Sequence, residues 1–225
     1  MYTDPQHTKV WAKWDKVISE PTTLYITWKD RNGVSLSEEV KPTPPTVTEK
    51  PANKFKDTAS HWAKETIDGF VAKGIISGYP DGTFRPNEPM KRKHVAGIMA
   101  ALYKLEPKLA AVSFSDVSQK HPNYAAIKKL QQAGVISGVD GKFLPEETLT
   151  RGQMAKVLVL ASGFTPGGKT TFKDITPAYW GYDYITALAD LKVVGGDNGS
   201  YKPNAPVTRG QFVGMLDKAL KAMNK

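Results

Sequence analysis

The sequence predicts a mainly α protein in which three helix–turn–helix units close into a bundle with pseudo-threefold symmetry, preceded by a short, partly ordered β segment and a linker. Two observations carry this. The first is internal repetition with a period of about 59 residues. The tripeptide FKD at Phe55 returns as FSD at Phe114 and FKD at Phe172, and "GIISGYPDGTFRP" returns as "GVISGVDGKFLP" and "VVGGDNGSYKP". Pro86, Pro145 and Pro203 keep that spacing, as do Arg92, Arg151 and Arg209. The second is an apolar stripe at i, i+3, i+4, i+7 in the second half of each unit: Val95, Ile98, Met99, Leu102; Met154, Val157, Leu158, Ala161; and Phe212, Met215, Leu216, Ala219. One short unit cannot bury such a stripe alone, whereas three units facing one another can.

Along the chain, residues 1–40 come first and contain one strong strand candidate, "TTLYITWKD" (Thr22–Asp30), with Leu24, Ile26 and Trp28 alternating. "KPTPPTVTEKPANK" comes next, and residues 41–53 read as an extended Pro/Thr linker with a reach of roughly 40 Å at ~3.1 Å per residue. The three units occupy residues 54–111, 112–169 and 170–225. In the first helix of unit one, Ala63, Ile67, Phe70, Val71 and Gly74 share a face; Ile127 and Leu130, then Ile185, Leu188 and Ala189, keep it in the others. Asp81-Gly82, Asp140-Gly141 and Asn198-Gly199 accept positive φ and mark a tight reversal, a miniature hairpin. Thr150 with Gln153, and Thr208 with Gln211, spell a capping box at the start of the second helix. In unit one Lys91 and His94 replace that pair.

Each second helix carries an arginine in its first turn, Arg92, Arg151 or Arg209, where the helix dipole favours an acid. Unpaired amides at a helix start form an anion site, and a guanidinium beside them adds a planar fork for a carboxylate. The plain alternative is that each arginine pairs with a nearby acid: Asp57, Asp116 or Asp174.

Composition narrows the partner. The 225-residue chain is 40% hydrophobic and 24% charged, with mean hydropathy −0.40. No apolar run approaches the ~20 residues that span a bilayer. "MYTDPQHTKVW" lacks a secretory apolar segment, so an exported protein would be represented here by a fragment or a processed form. The absence of cysteine excludes disulfides and thiolate metal sites. A net charge of +9 points to an anionic partner: nucleic acid, anionic lipid or acidic polysaccharide.

From Lys54 onward the units resemble S-layer homology (SLH) domains. The resemblance rests on the FxD openings, "HWAKETI" (His61–Ile67), "KGIISGYPDGTFRP" (Lys73–Pro86), and the TR helix starts at Thr150-Arg151 and Thr208-Arg209. It implies a spindle whose second helices form a central three-helix bundle, with ligand grooves between neighbouring units. It also implies a function: noncovalent anchoring of an exported protein to the bacterial, Gram-positive cell wall. The ligand it implies is a secondary cell-wall polysaccharide whose terminal sugar carries a pyruvate ketal. The same resemblance nominates Arg92, Arg151 and Arg209 for the carboxylate and Asp57, Asp116 and Asp174 for sugar hydroxyls or a cap. It nominates Trp62 and Trp180, with Tyr124 standing in where unit two has Pro122, for a sugar face or the core. Gly78, Gly138 and Gly196 are read as permitting close backbone approach, to a ligand or through the turn. Separately, "YTDP" (Tyr2–Pro5), Trp11, Trp14 and "TTLYITW" (Thr22–Trp28) resemble the C-terminal half of a Listeria–Bacteroides (internalin B-type) surface repeat.

No catalytic signature (GxSxG, HExxH or a phosphate loop) occurs, and His7, His61, His94 and His121 lack ligand spacing, so neither an enzyme nor a metal or other cofactor is expected. The arginines stand too far apart for a nucleic-acid stripe. The remaining alternative is a protein-binding or surface-lattice module. The expected state is a cell-surface monomer with an internal pseudo-trimer, not inserted in a membrane.

Overall fold

The computed structural model describes residues 55–224 and the backbone of two upstream strands, β1 (Leu24–Lys29) and β2 (Ser35–Val40). The strands pair antiparallel, Leu24 opposite Val40 and Lys29 opposite Ser35. β1 falls on the strand expected at Thr22–Asp30. The rest of the expected β segment and the linker lie outside the described residues. The chain divides between Pro51 and Ala52 into two units, and the three repeats make up the second.

That unit holds six helices: α1 (Lys64–Ala72), α2 (Arg92–Leu102), α3 (Tyr124–Gln132), α4 (Arg151–Ser162), α5 (Tyr182–Asp190) and α6 (Arg209–Met223). The first helix of each repeat is short because the residue two places beyond it turns left-handed. Gly74 (φ 69°) and Gly134 (φ 74°) do this freely, while Lys192 (φ 59°) adopts the same conformation against its Cβ. The reversal before each second helix also follows its dipeptide. Asp140-Gly141 and Asn198-Gly199 are both at positive φ, as a type I′ turn demands, and close the miniature hairpins Val139–Lys142 and Asp197–Ser200. Repeat one carries one extra residue, Pro80. Only Gly82 turns left-handed there, and the closing bond runs from Tyr79 N–H to the Thr83 carbonyl at 2.8 Å.

The second-helix stripes are buried as their spacing requires. Met99, Met154, Leu158, Leu216 and Ala219 are sealed from solvent, and one continuous core runs through all three repeats. The principal helix pairs lie between repeats. α2 packs on α3, α4 on α5, and α6 returns to α1, while α4 also meets α6 along the centre. Packing alone does not close the spindle. Met90 N–H donates to the Val207 carbonyl (2.8 Å), Val207 N–H to Leu149 (2.8 Å) and Leu149 N–H to Met90 (3.0 Å), a backbone ring that visits each repeat once. Burial of those three side chains dries these bonds.

Candidate ligand-binding grooves

Three grooves arise from this closure, and each takes residues from all three repeats. Groove 1 uses the turn of repeat one (Ser77, Gly78, Tyr79, Phe84), Arg209 from repeat three and Asn123 from repeat two, around about 380 Å³ of space. Groove 2 uses the turn of repeat two (Ser137, Gly138, Val139, Phe143), Arg92 from repeat one and Trp180 from repeat three, around about 200 Å³. Groove 3 uses the turn of repeat three (Gly195, Gly196, Tyr201), Arg151 from repeat two and Trp62 from repeat one, in two lobes of about 170 and 280 Å³.

The turn is clamped from both sides. Within its own repeat, the FxD carboxylate accepts two successive backbone amides. Asp57 takes Phe84 (2.9 Å) and Arg85 (2.6 Å), Asp116 takes Phe143 (2.8 Å) and Leu144 (2.7 Å), and Asp174 takes Tyr201 (2.7 Å) and Lys202 (2.6 Å). The second residue of each pair is a non-glycine at positive φ: Arg85, Leu144 or Lys202. Partial burial pushes these carboxyls up, but the amide bonds outweigh it and hold all three below the ordinary 3.8. From the preceding repeat comes the arginine. Its Nε donates to the carbonyl of the same aromatic residue: Arg92 to Phe143 (2.8 Å), Arg151 to Tyr201 (2.8 Å), Arg209 to Phe84 (2.7 Å). Nη2 reaches a second turn carbonyl at Ser137 (3.3 Å), Gly195 (3.0 Å) or Ser77 (2.9 Å). Each guanidinium also lies over the ring, 4.7, 4.5 and 4.3 Å from the centroids of Phe143, Tyr201 and Phe84.

Two expectations about the arginines need correction. The helix-start amides are not free. Arg92, Arg151 and Arg209 N–H donate to the carbonyls of Glu147, Ala205 and Glu88, and the next amides to Pro145, Pro203 and Pro86, all within 3.1 Å. The amides that were to bind an anion instead bind the next repeat. Nor do the arginines pair with Asp57, Asp116 or Asp174, whose oxygens the turn amides hold; among the described residues none of the three forms a salt bridge with any acid. Of five guanidinium N–H groups, two are used, leaving Nη1 and one Nη2 hydrogen along the edge that fits a carboxylate. Burial pulls Arg92 and Arg209 below their ordinary pKa, against the opposing pull of nearby acids, Asp116 and Glu147 for Arg92 and Glu88 and Asp57 for Arg209.

The other nominated residues separate cleanly. Trp62 and Trp180 stand 68% and 54% exposed at groove edges, so neither is a core residue. Gly78, Gly138 and Gly196 border grooves, but their need for hydrogen is internal. A Cβ at Gly78 would lie 2.1 Å from Phe55, and one at Gly138 2.4 Å from the Lys142 carbonyl. Tyr124 is placed elsewhere: it packs on the small cluster of Ala96, Val117, Ile127 and Phe143, and Asn123 lines groove 1. Pro122 shifted the apparent aromatic by two positions, from the loop ahead of the helix to the first residue of α3. Sequence reading also missed the glycine after the arginine. A Cβ at Gly152 would meet the Tyr179 hydroxyl (2.8 Å), and one at Gly210 the His61 ring (2.7 Å). "TRGQ" occurring twice was the signal, since glycine inside a helix costs about 1 kcal/mol relative to alanine and needs a reason.

Among the described residues no group of His, Asp or Glu converges to hold a metal, and no helix is long and apolar enough to cross a membrane. Fold and grooves thus define a repeat-built binding scaffold with cationic clefts. The chain belongs to the S-layer homology domain family, whose pattern matches residues 54–96, 113–155 and 171–213. It is 35% identical over 174 residues to S-layer protein EA1 of Bacillus anthracis, covering 71% of this chain and 19% of that protein. An S-layer protein of Bacillus licheniformis is 34% identical over 169 residues (71% and 19%). A protein of Bacillus anthracis described as an uncharacterized cell wall amidase is 33% identical over 166 residues (70% and 31%). The chain therefore spans about a fifth to a third of the length of these relatives. Family membership places it at the cell surface, in association with the cell wall, as a module that anchors surface proteins.

Proposed function

We propose that the grooves bind acidic ends of a secondary cell-wall polysaccharide and so tether an exported protein to the wall. A terminal sugar bearing a pyruvate ketal supplies the chemistry the cleft asks for: one carboxylate for the arginine edge and one apolar face for the indole. The observation that carries this reading is the remaining guanidinium edge of Arg92, Arg151 and Arg209, which has no acidic partner among the described residues and is presented at equivalent places beside turns fixed from two sides. Asp57, Asp116 and Asp174 act through the turn they hold, and Trp62 and Trp180 act as platforms. The module works as a monomer, because its threefold closure is internal.

The test uses wall sacculi before and after chemical removal of the pyruvylated polymer. Arg151→Gln combined with Arg209→Gln should lower cosedimentation roughly 10- to 100-fold, the loss of charge-assisted bonds worth about 1.5–3 kcal/mol. Thermal melting of the same variant separates lost binding from lost closure. Undiminished pelleting of the variant, or equal pelleting of the unaltered protein on stripped sacculi, overturns the reading and leaves a lattice-assembly role.

A further inference from the structure

The three grooves differ at one helix position that faces all of them. Five residues into each second helix stand Gly97, Lys156 and Gly214, lining grooves 1, 2 and 3. At the two glycines the next repeat leans in. A Cβ at Gly97 would sit 2.9 Å from Asn123 Nδ2, and one at Gly214 2.8 Å from Trp62 Cη2. In groove 2 the corresponding place is filled by a lysine. Lys156 is half-buried, has no acidic partner among the described residues, and shares the groove with Arg92 and Trp180. The groove's lining contains no carboxylate. Groove 3 has further cations too, but Lys218 lies four residues farther along α6 and is exposed, and Lys202 in the other lobe is paired with Asp197 at 2.6 Å.

From this we infer that groove 2 is a two-charge site: Arg92 holds one acid and Lys156 a second acid on the adjoining sugar. Lys156 then determines specificity, selecting chains in which the terminal acidic sugar is followed by another acidic residue such as a hexuronic acid. The physical reasons are two. Two cations line one cleft whose lining holds no carboxylate, so a single monoanion on Arg92 leaves Lys156 without an acid of its own. A flexible ammonium also suits a second carboxylate whose direction varies, whereas the arginine fork fixes the first.

The inference rests on the acidic-glycan reading, and the experiment distinguishes the two. Two disaccharides are titrated into the whole chain, each ending in a pyruvate-ketal N-acetylhexosamine, one with a neutral hexose beneath it and the other with a hexuronic acid. The indole N–H signals of Trp180 and Trp62 report grooves 2 and 3 separately. The uronic-acid compound should bind at Trp180 roughly three- to tenfold more tightly than its neutral counterpart. Lys156→Gln should abolish that preference while leaving the affinity for the neutral compound within about twofold, and Lys156→Arg should restore it. A preference that survives Lys156→Gln, or one no larger at Trp180 than at Trp62, overturns the inference and leaves the wall-anchor reading standing. Silence of both indoles to both compounds overturns the wall-anchor reading and this inference with it.

Discussion

Grooves 3 and 1 share one frame but offer different edges. In both, an FxD carboxylate holds two turn amides and an arginine from the preceding repeat holds the turn carbonyls. Yet groove 3 is walled by an exposed Trp62 lying over Gly214, whereas groove 1 has Asn123 over Gly97 and is bordered instead by Tyr79 and His94. The helix starts differ too. Thr208 and Gln211 complete their box, while Lys91 has no side-chain cap. The frame is thus separable from the edge: the clamp recurs wherever the turn must be held, and the residues that border the groove vary around it.

The largest effect should come from breaking the frame. Gly138→Ala drives a Cβ to within 2.4 Å of a backbone carbonyl and 2.5 Å of Phe114. It should cost about 2–3 kcal/mol, read as a lower urea midpoint. If frame and edge are separable, the Trp62 indole signal of the folded variant stays where it was. A smaller loss comes from removing one clamp. Asp174→Ala leaves the Tyr201 and Lys202 amides without their acceptor, costing about 1–2 kcal/mol after discounting for solvent exposure.

That variant also changes the acid response. A carboxyl held below 3.8 in the fold stabilises fully above its unfolded value, and the contribution disappears as pH falls through the folded one. The variant should therefore lose less stability than the parent on acidification below about pH 4. A denaturation series between pH 5 and 2 checks the slope.

Repairing groove 1 should give a gain of similar or smaller size. Lys91→Thr with His94→Gln installs the box that α4 and α6 already have, for about 1 kcal/mol in thermal stability at neutral pH. Burial, with Lys93, Arg209 and Lys91 nearby, holds His94 below its ordinary 6.5. Its protonation therefore opposes the fold as pH drops below that value, and the advantage of the double variant should widen from pH 7 to 5. The smallest effect sharpens the edge itself. Pro122→Trp gives groove 1 the indole its siblings receive, and sugar affinity there should rise by about 0.5–1 kcal/mol, measured by calorimetry.

Local features were legible in the sequence wherever the interaction is local. The stripes, the two capping boxes and the Asp-Gly and Asn-Gly turns lie within a few residues of the partners that define them. What the sequence concealed is separated by long stretches of chain. Arg209 meets Phe84 across the whole repeat array, and the amides of α6 end on Pro86 and Glu88. No periodicity announces that a helix start will be occupied by a neighbour's carbonyl, so those amides looked vacant. Asp57, Asp116 and Asp174 sit just ahead of a helix, which suggested a cap, while the amides they hold come from the far side of the turn. Tyr124 misled for a simpler reason: a substitution by proline moved the nearest ring without moving the groove.

The backbone ring through Met90, Leu149 and Val207 makes the triplet indivisible. Since every cleft borrows from each repeat, shortening the array by one would forfeit all three clefts at once, not a third of the adhesion. Which repeat comes first in the chain, by contrast, matters little to the finished molecule. A gene reopened between repeats one and two and rejoined at the old ends should encode the same trio of clefts, provided the new joint spans the gap.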